Sequence, residues 1–176
     1  MHKVGAFRTE TQQSDWSGVG PTSGQGEANR DEDEQRRNTR FVSLLNAFRE
    51  SGGLARADEV ASQFQRRSEQ HISVFGGWLI KRQAIGFEWN SKLWMPLFQF
   101  NHADMSLRAG LAGILAELVV VYNDWDVASW FVTPNPWLSD GLPVDALAVA
   151  APKVLWAARA ERSAVATNSH MLLQQQ

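Results

Sequence analysis

The stretch from Trp130 to Leu147 constrains this chain more than any other. Trp130-Phe131-Val132 reads as the apolar end of a helix, which must stop at Pro134-Asn135-Pro136. Proline fixes φ and cannot continue a helix, and Asn tolerates turn geometry. Trp137-Leu138-Ser139-Asp140-Gly141 follows. Pro143 then suits a first helical position, where its missing N–H costs nothing, and Asp145 suits the first turn. Two helices meeting at a stiff corner are expected here.

The remaining chain is expected to be mainly α. Phe41, Leu44, Leu45 and Phe48 fall at i, i+3, i+4 and i+7, so a helix starts near Asn38 and ends at Gly52-Gly53. A second helix covers Asp58–Arg67 with Val60 and Phe64 inward. Ser68 reads as the N-cap of a third, Glu69 to about Lys81, with Ile72, Phe75 and Leu79 inward. Gly76-Gly77 costs such a helix about 1 kcal/mol per glycine relative to alanine, for which a close helix crossing is the usual reason.

Ile85, Phe87 and Trp89 alternate with polar or small residues, as do Leu93, Met95 and Leu97. With Asn90-Ser91 between them they predict a β-hairpin, Pro96 lying on a free strand edge. Helix resumes from Ser106, with Leu111, Ile114, Leu115 and Leu118 as one stripe. Asn123 or Asp124 caps a short helix carrying Val127, Trp130 and Phe131. Beyond the corner, a short helix starts at Pro143 and a longer one at Pro152, with Val154, Leu155 and Ala158 inward.

Four segments follow from this reading: 1–34, 35–100, 101–165 and 166–176. The net charge of −2 conceals a segregation, with −4 over residues 1–34, +5 over 35–100 and −3 over 101–176. Residues 1–34 end in Asp31-Glu32-Asp33-Glu34 and offer little periodic bulk, so they are expected to be a disordered acidic tail. Residues 166–176 are expected to form a flexible C-terminus. No cysteine is present, which excludes disulfides and permits a cytoplasmic address. The start of the chain lacks the pattern of a secretory signal, and no apolar run reaches the about 20 residues a membrane helix needs. A soluble protein, not associated with membranes, is expected.

Sites for catalysis are thin. His2, His71, His102 and His170 are scattered without metal-ligand spacing, and neither a Gly-x-Ser-x-Gly elbow nor a phosphate-binding glycine loop is present. Asp124-x-Asp126 reads as a metal pair or, more commonly, as carboxylates complementing a helix start. No enzyme activity, metal or cofactor is expected.

The three helices of residues 38–82 followed by a hairpin have the order of a helix-turn-helix with a wing. That geometry would put Arg66, Arg67, Gln70, His71, Ser73 and Asn90 near bases, and Lys81, Arg82 and Lys92 near phosphates. An ordinary solvated face explains the same charges. Of the eight tryptophans, Trp130 and Trp78 read as core. Trp137, on a stiff turn among polar residues, reads either as an interface anchor or as a cap on its own core.

The corner resembles the turn of the toxin-binding domain in Xre/MbcA/ParS-type antitoxins, where a Trp-Leu helix leads into Pro-Asn-x-x-Leu, a Gly and Pro-x-Asp-x-Leu. Upstream, Phe75-Gly76-Gly77-Trp78-Leu79 and Pro96-Leu97-Phe98-Gln99-Phe100-Asn101 resemble that family's Gly-x-Leu and Pro-x-Phe-Gln-Phe-Asp elements. The resemblance spans about residues 55–165, in order. It implies a helix-turn-helix-like part with a small hairpin over 35–100, able to bind operator DNA and to dimerise. It implies a helical toxin-binding domain over 101–165, with Asn135, Trp137, Leu138, Arg159 and Arg162 on the partner. The partner it implies is a cognate toxin of the RES or a related NAD-active kind, which itself carries the catalysis. A stand-alone winged-helix regulator without a toxin partner is the alternative.

Overall fold

The computed structural model describes residues 23–173, with side chains described from 30 to 167. The chain divides into two compact units, Met1–Gln35 and Arg36–Gln176. Helix α1 spans Ser23–Ala47. It therefore starts well before Asn38, and Ser23–Gln35 is helical where a tail was expected. Glu, Gln and Arg are good helix formers even without a buried stripe, which is why apolar periodicity missed this part. Residues 1–22 of the expected tail lie outside the described residues.

Within the second unit, strand β1 (Leu54–Arg56) follows Gly52 and Gly53, whose φ of 107° and 83° turn the chain. Then come α2 (Ala57–Arg67) and α3 (Ile72–Ile80), and the hairpin of β2 (Phe87–Trp89) and β3 (Lys92–Pro96). Asn90 and Ser91 both have positive φ, 48° and 55°, the conformation a tight two-residue hairpin turn requires. The remaining helices are α4 (Leu111–Leu118), α5 (Asp124–Phe131) and α6 (Pro143–Leu173). The protein is mainly helical, with a small three-stranded antiparallel sheet in the order β1-β3-β2.

The sheet corrects the expectation for Pro96. β3 is the middle strand, and Pro96 lies opposite Leu54, buried. Leu97 donates its N–H to Gly53 (2.9 Å), so by the alternation of an antiparallel ladder the missing N–H of Pro96 falls on the β2 side, toward Ile85. The fully buried Gln99 amide fills that gap. Its Oε1 accepts from Ile85 N–H (2.7 Å), and its Nε2 donates to the carbonyls of Ile85 and Pro96 (2.9 Å each). A side chain thus replaces the ladder bonds that proline cannot make.

Other local differences have local causes. Ser68 closes α2, its N–H reaching the Phe64 carbonyl at 2.8 Å. α3 is capped instead by His71, whose Nδ1 accepts from Ser73 N–H. α4 starts at Leu111 and not Ser106, because Gly110 with φ of 83° precedes it. α6 continues to Leu173, through residues read as a flexible end, and is interrupted at Ala150, two residues before Pro152. Two helices were expected on either side of that break.

One hydrophobic cluster joins Phe41, Leu44 and Phe48 of α1 to the buried stripe of α4, to Val127 and Phe131 of α5 and to Val154 and Ala158 of α6. Phe98 lies between Phe48 and Phe131, with ring centroids 5.6 and 5.0 Å away. Residues expected in separate parts, 35–100 and 101–165, therefore share a core. An eight-residue helix such as α4 is too short to persist alone, so burial of Leu111, Ile114, Leu115 and Leu118 holds it, at about 1.5–3 kcal/mol per side chain. A second cluster gathers Val60, Phe64, Phe75, Met95 and Phe100 beneath α2 and α3.

Candidate functional site

The corner between α5 and α6 is built on one buried residue. Asn135, only 4% exposed, accepts the Trp137 N–H on its side-chain oxygen (2.9 Å). Its carbonyl accepts from Leu138 (2.9 Å) and Asp140 (3.0 Å), and its N–H donates to Gly141 (3.1 Å). Ser139 and Asp140 both take positive φ, 56° and 61°, which closes the chain back on Asn135. A Cβ on Gly141 would lie 3.1 Å from the Leu138 carbonyl oxygen, so glycine suits this approach. Asn135 was expected on the partner surface. Its burial makes it the internal brace of the turn, holding Pro136–Leu138 in a single 3-10 turn.

That brace presents Trp137 outward. Trp137 is 48% exposed and Trp156, on α6, is 55% exposed; their rings meet edge to face, centroids 5.3 Å apart. Val149, at 87% exposed, adds to the same surface. Trp137, Leu138, Ala146, Val149, Pro152 and Trp156 line a groove of about 640 Å³ with Lys153 as its single charge. The interruption of α6 opens this groove: Ala150 has φ −149° and ψ 50°, and Pro152 offers no N–H to the Ala148 carbonyl. Exposing two tryptophans and a valine side by side forgoes burial that a core would use, and large exposed apolar patches mark interaction surfaces.

Arg159 and Arg162, expected on the partner, are held within the chain. Both bond Glu117 of α4, at 3.1 and 2.9 Å, and tie α6 to α4. The two guanidiniums hold the Glu117 carboxyl below the ordinary carboxylate range. On the other side of α6, Tyr122 donates its hydroxyl to Glu161, and burial followed by that carboxylate raises the phenol above its ordinary value.

Several of the residues expected at DNA are engaged within the chain. Arg66 and Gln70 are exposed, and Arg67 donates to the His102 carbonyl at 3.0 Å. His71 and Ser73 serve the α3 cap. Lys81 is exposed, whereas Arg82 is tied to Asp124 and to the Val119 carbonyl. Asn90 and Lys92 lie exposed at the hairpin turn. α3 itself, Ile-Ser-Val-Phe-Gly-Gly-Trp-Leu-Ile, carries no charged or amide side chain to reach a base edge. The close crossing expected at Gly76-Gly77 is absent, since a Cβ at either glycine meets nothing within 4 Å.

Asp124 and Asp126 stand in the first turn of α5, with Asn123 as its cap. Asp126 pairs with Arg40 at 2.6 Å. Among the described residues, no three His, Cys, Asp or Glu side chains come together as a metal site, and no helix is long and apolar enough to cross a membrane.

No family model, curated protein or solved structure matches this chain. Its functional reading therefore rests on its own residues. Trp156 is, with Val149 and Lys153, a member of the site that sequence reasoning did not single out. Its signal was the i, i+3 spacing of Lys153 and Trp156 beyond the break, which puts the two on one side of that part of α6.

Proposed function

We propose that this chain is a protein-binding, non-enzymatic module of the antitoxin kind, which docks a cognate partner at the corner between α5 and α6. One observation carries the reading: a tryptophan held outward by a buried asparagine, on a proline-stiffened turn, beside a second exposed tryptophan. Preorganised aromatics of this sort supply large contact area at little entropic cost and are enriched among residues that dominate binding. The motif order leading to the corner resembles that of the Xre/MbcA/ParS-type antitoxins, which makes a RES-type or related NAD-active toxin the partner to test first. Co-expression with the product of the neighbouring reading frame tests it. Wild-type chain should relieve toxicity and co-purify with that product; Trp137→Ala should do neither while still accumulating as folded protein. Relief by both alike would refute the reading.

A second reading, operator binding as a transcription regulator, is favoured by the element order helix, strand, helix, helix, hairpin and by the +5 charge of residues 35–100. The bare α3 weighs against base readout, so contact would come chiefly from Arg66, Gln70 and Lys81 with phosphates. Charge reversal at Arg66 and Lys81 should then abolish a salt-dependent gel shift of the promoter upstream of the gene. An unchanged shift excludes this face.

A further inference from the structure

We infer that the groove between Trp137 and Trp156 takes an acidic segment of the partner protein, one that places an aliphatic or aromatic side chain beside a carboxylate. This rests on the docking reading above and specifies the chemistry of what docks. The groove's floor and walls are apolar, and Lys153 is the only charge among its lining residues. Lys153 makes no ion pair or hydrogen bond among the described residues, although it stands one helical turn from Trp156. Asp140 follows the lining residue Ser139 but does not itself line the groove.

Further along α6, Arg159 and Arg162 share the carboxylate of Glu117, and with Glu161 between them that stretch adds no net charge. Among the lining residues the charge beside Trp156 is therefore that of Lys153, although residues 101–176 as a whole carry −3. A basic segment would meet uncompensated repulsion here, and a neutral one would leave Lys153 partly desolvated without a partner. An acidic one answers both. A volume of about 640 Å³ lies within the usual range for a bound group.

Panning a phage library of random linear peptides on the full chain tests this, with Trp137→Ala and Trp156→Ala as counter-targets and Lys153→Glu as the charge test. All three positions are exposed, and a thermal melt of each variant confirms its fold. The expected result is enrichment of peptides with Asp or Glu within one turn of a large apolar residue. These should be lost on both tryptophan variants and weakened about tenfold or more on Lys153→Glu, which should select Lys- or Arg-bearing peptides instead. Tryptophan-dependent peptides indifferent to Lys153→Glu would overturn the inference and leave docking intact. Absence of any tryptophan-dependent enrichment would overturn both. Wild-type self-association that Trp137→Ala abolishes would make a second copy the occupant, and enrichment only after removal of residues 1–22 would make it the chain's own start. Either would overturn the inference.

Discussion

Replacing Asn135 with Ala separates the bracing of the corner from its display. The change removes the oxygen that accepts Trp137 N–H at 2.9 Å, in a residue only 4% exposed. Loss of an asparagine cap costs about 1 kcal/mol, within a range of roughly 0.5–2. The backbone bonds from Asn135 to Leu138, Asp140 and Gly141 persist, so the fold should survive. Trp137 then has to be ordered on binding, at a cost of about 0.5–1.5 kcal/mol, a loss of about two- to tenfold in affinity. Asn135→Asp keeps the acceptor and should recover most of both effects at neutral pH. Urea unfolding and calorimetric titration with the partner read the two quantities on the same samples. Lower stability with unchanged affinity in Asn135→Ala would refute the view that this residue preorganises Trp137. Unchanged stability would show that the hydrogen bond does not hold the turn.

Two further outcomes follow from the buried and paired groups. Gln99→Leu keeps volume but strands Ile85 N–H and the carbonyls of Ile85 and Pro96, so urea unfolding should show a loss of about 3–5 kcal/mol, at roughly 1–3 for each unpaired group with some relaxation; a loss under about 1 kcal/mol would mean that water or a neighbour satisfies them. Glu117, whose folded carboxyl is held below its ordinary value, lends stability that is complete above the ordinary carboxylate range and fades as pH falls through the lowered value. The advantage of wild type over Glu117→Gln should be under about 1 kcal/mol at neutral pH and low salt, since Arg159 and Arg162 are exposed, and should shrink below about pH 4. A difference constant from neutral to acid pH would show that the ion pairs contribute nothing.

The elements set by neighbouring residues were legible in the sequence. Val60 with Phe64, the Asn90-Ser91 turn, the α4 stripe, the Asn123 cap and the division of α6 near Pro152 all rest on spacing or a local dihedral. β1 was not, because three residues are too few to show alternation. Pro96 misled for a related reason: its place in a central strand depends on Gln99, whose partner Ile85 lies 14 residues back. At the site, the stiff corner was legible and its contents only partly. Arg159, Arg162 and Arg82 looked free because their carboxylates lie about forty residues away in sequence. Asn135 looked like a surface contact because nothing local reveals that the turn folds around it. Trp156 gained its meaning only when α6 carried it to Trp137.

The central claim is that Trp137 is displayed for a partner and does not hold the fold. Isothermal titration of the neighbouring gene's product into wild-type chain and into Trp137→Ala, alongside thermal unfolding of both, tests this most directly. The variant should lose about 2–4 kcal/mol of binding, roughly thirty- to a thousandfold, while its stability stays within about 1 kcal/mol of wild type. Matching losses of binding and stability, or binding that survives the substitution, would contradict the account.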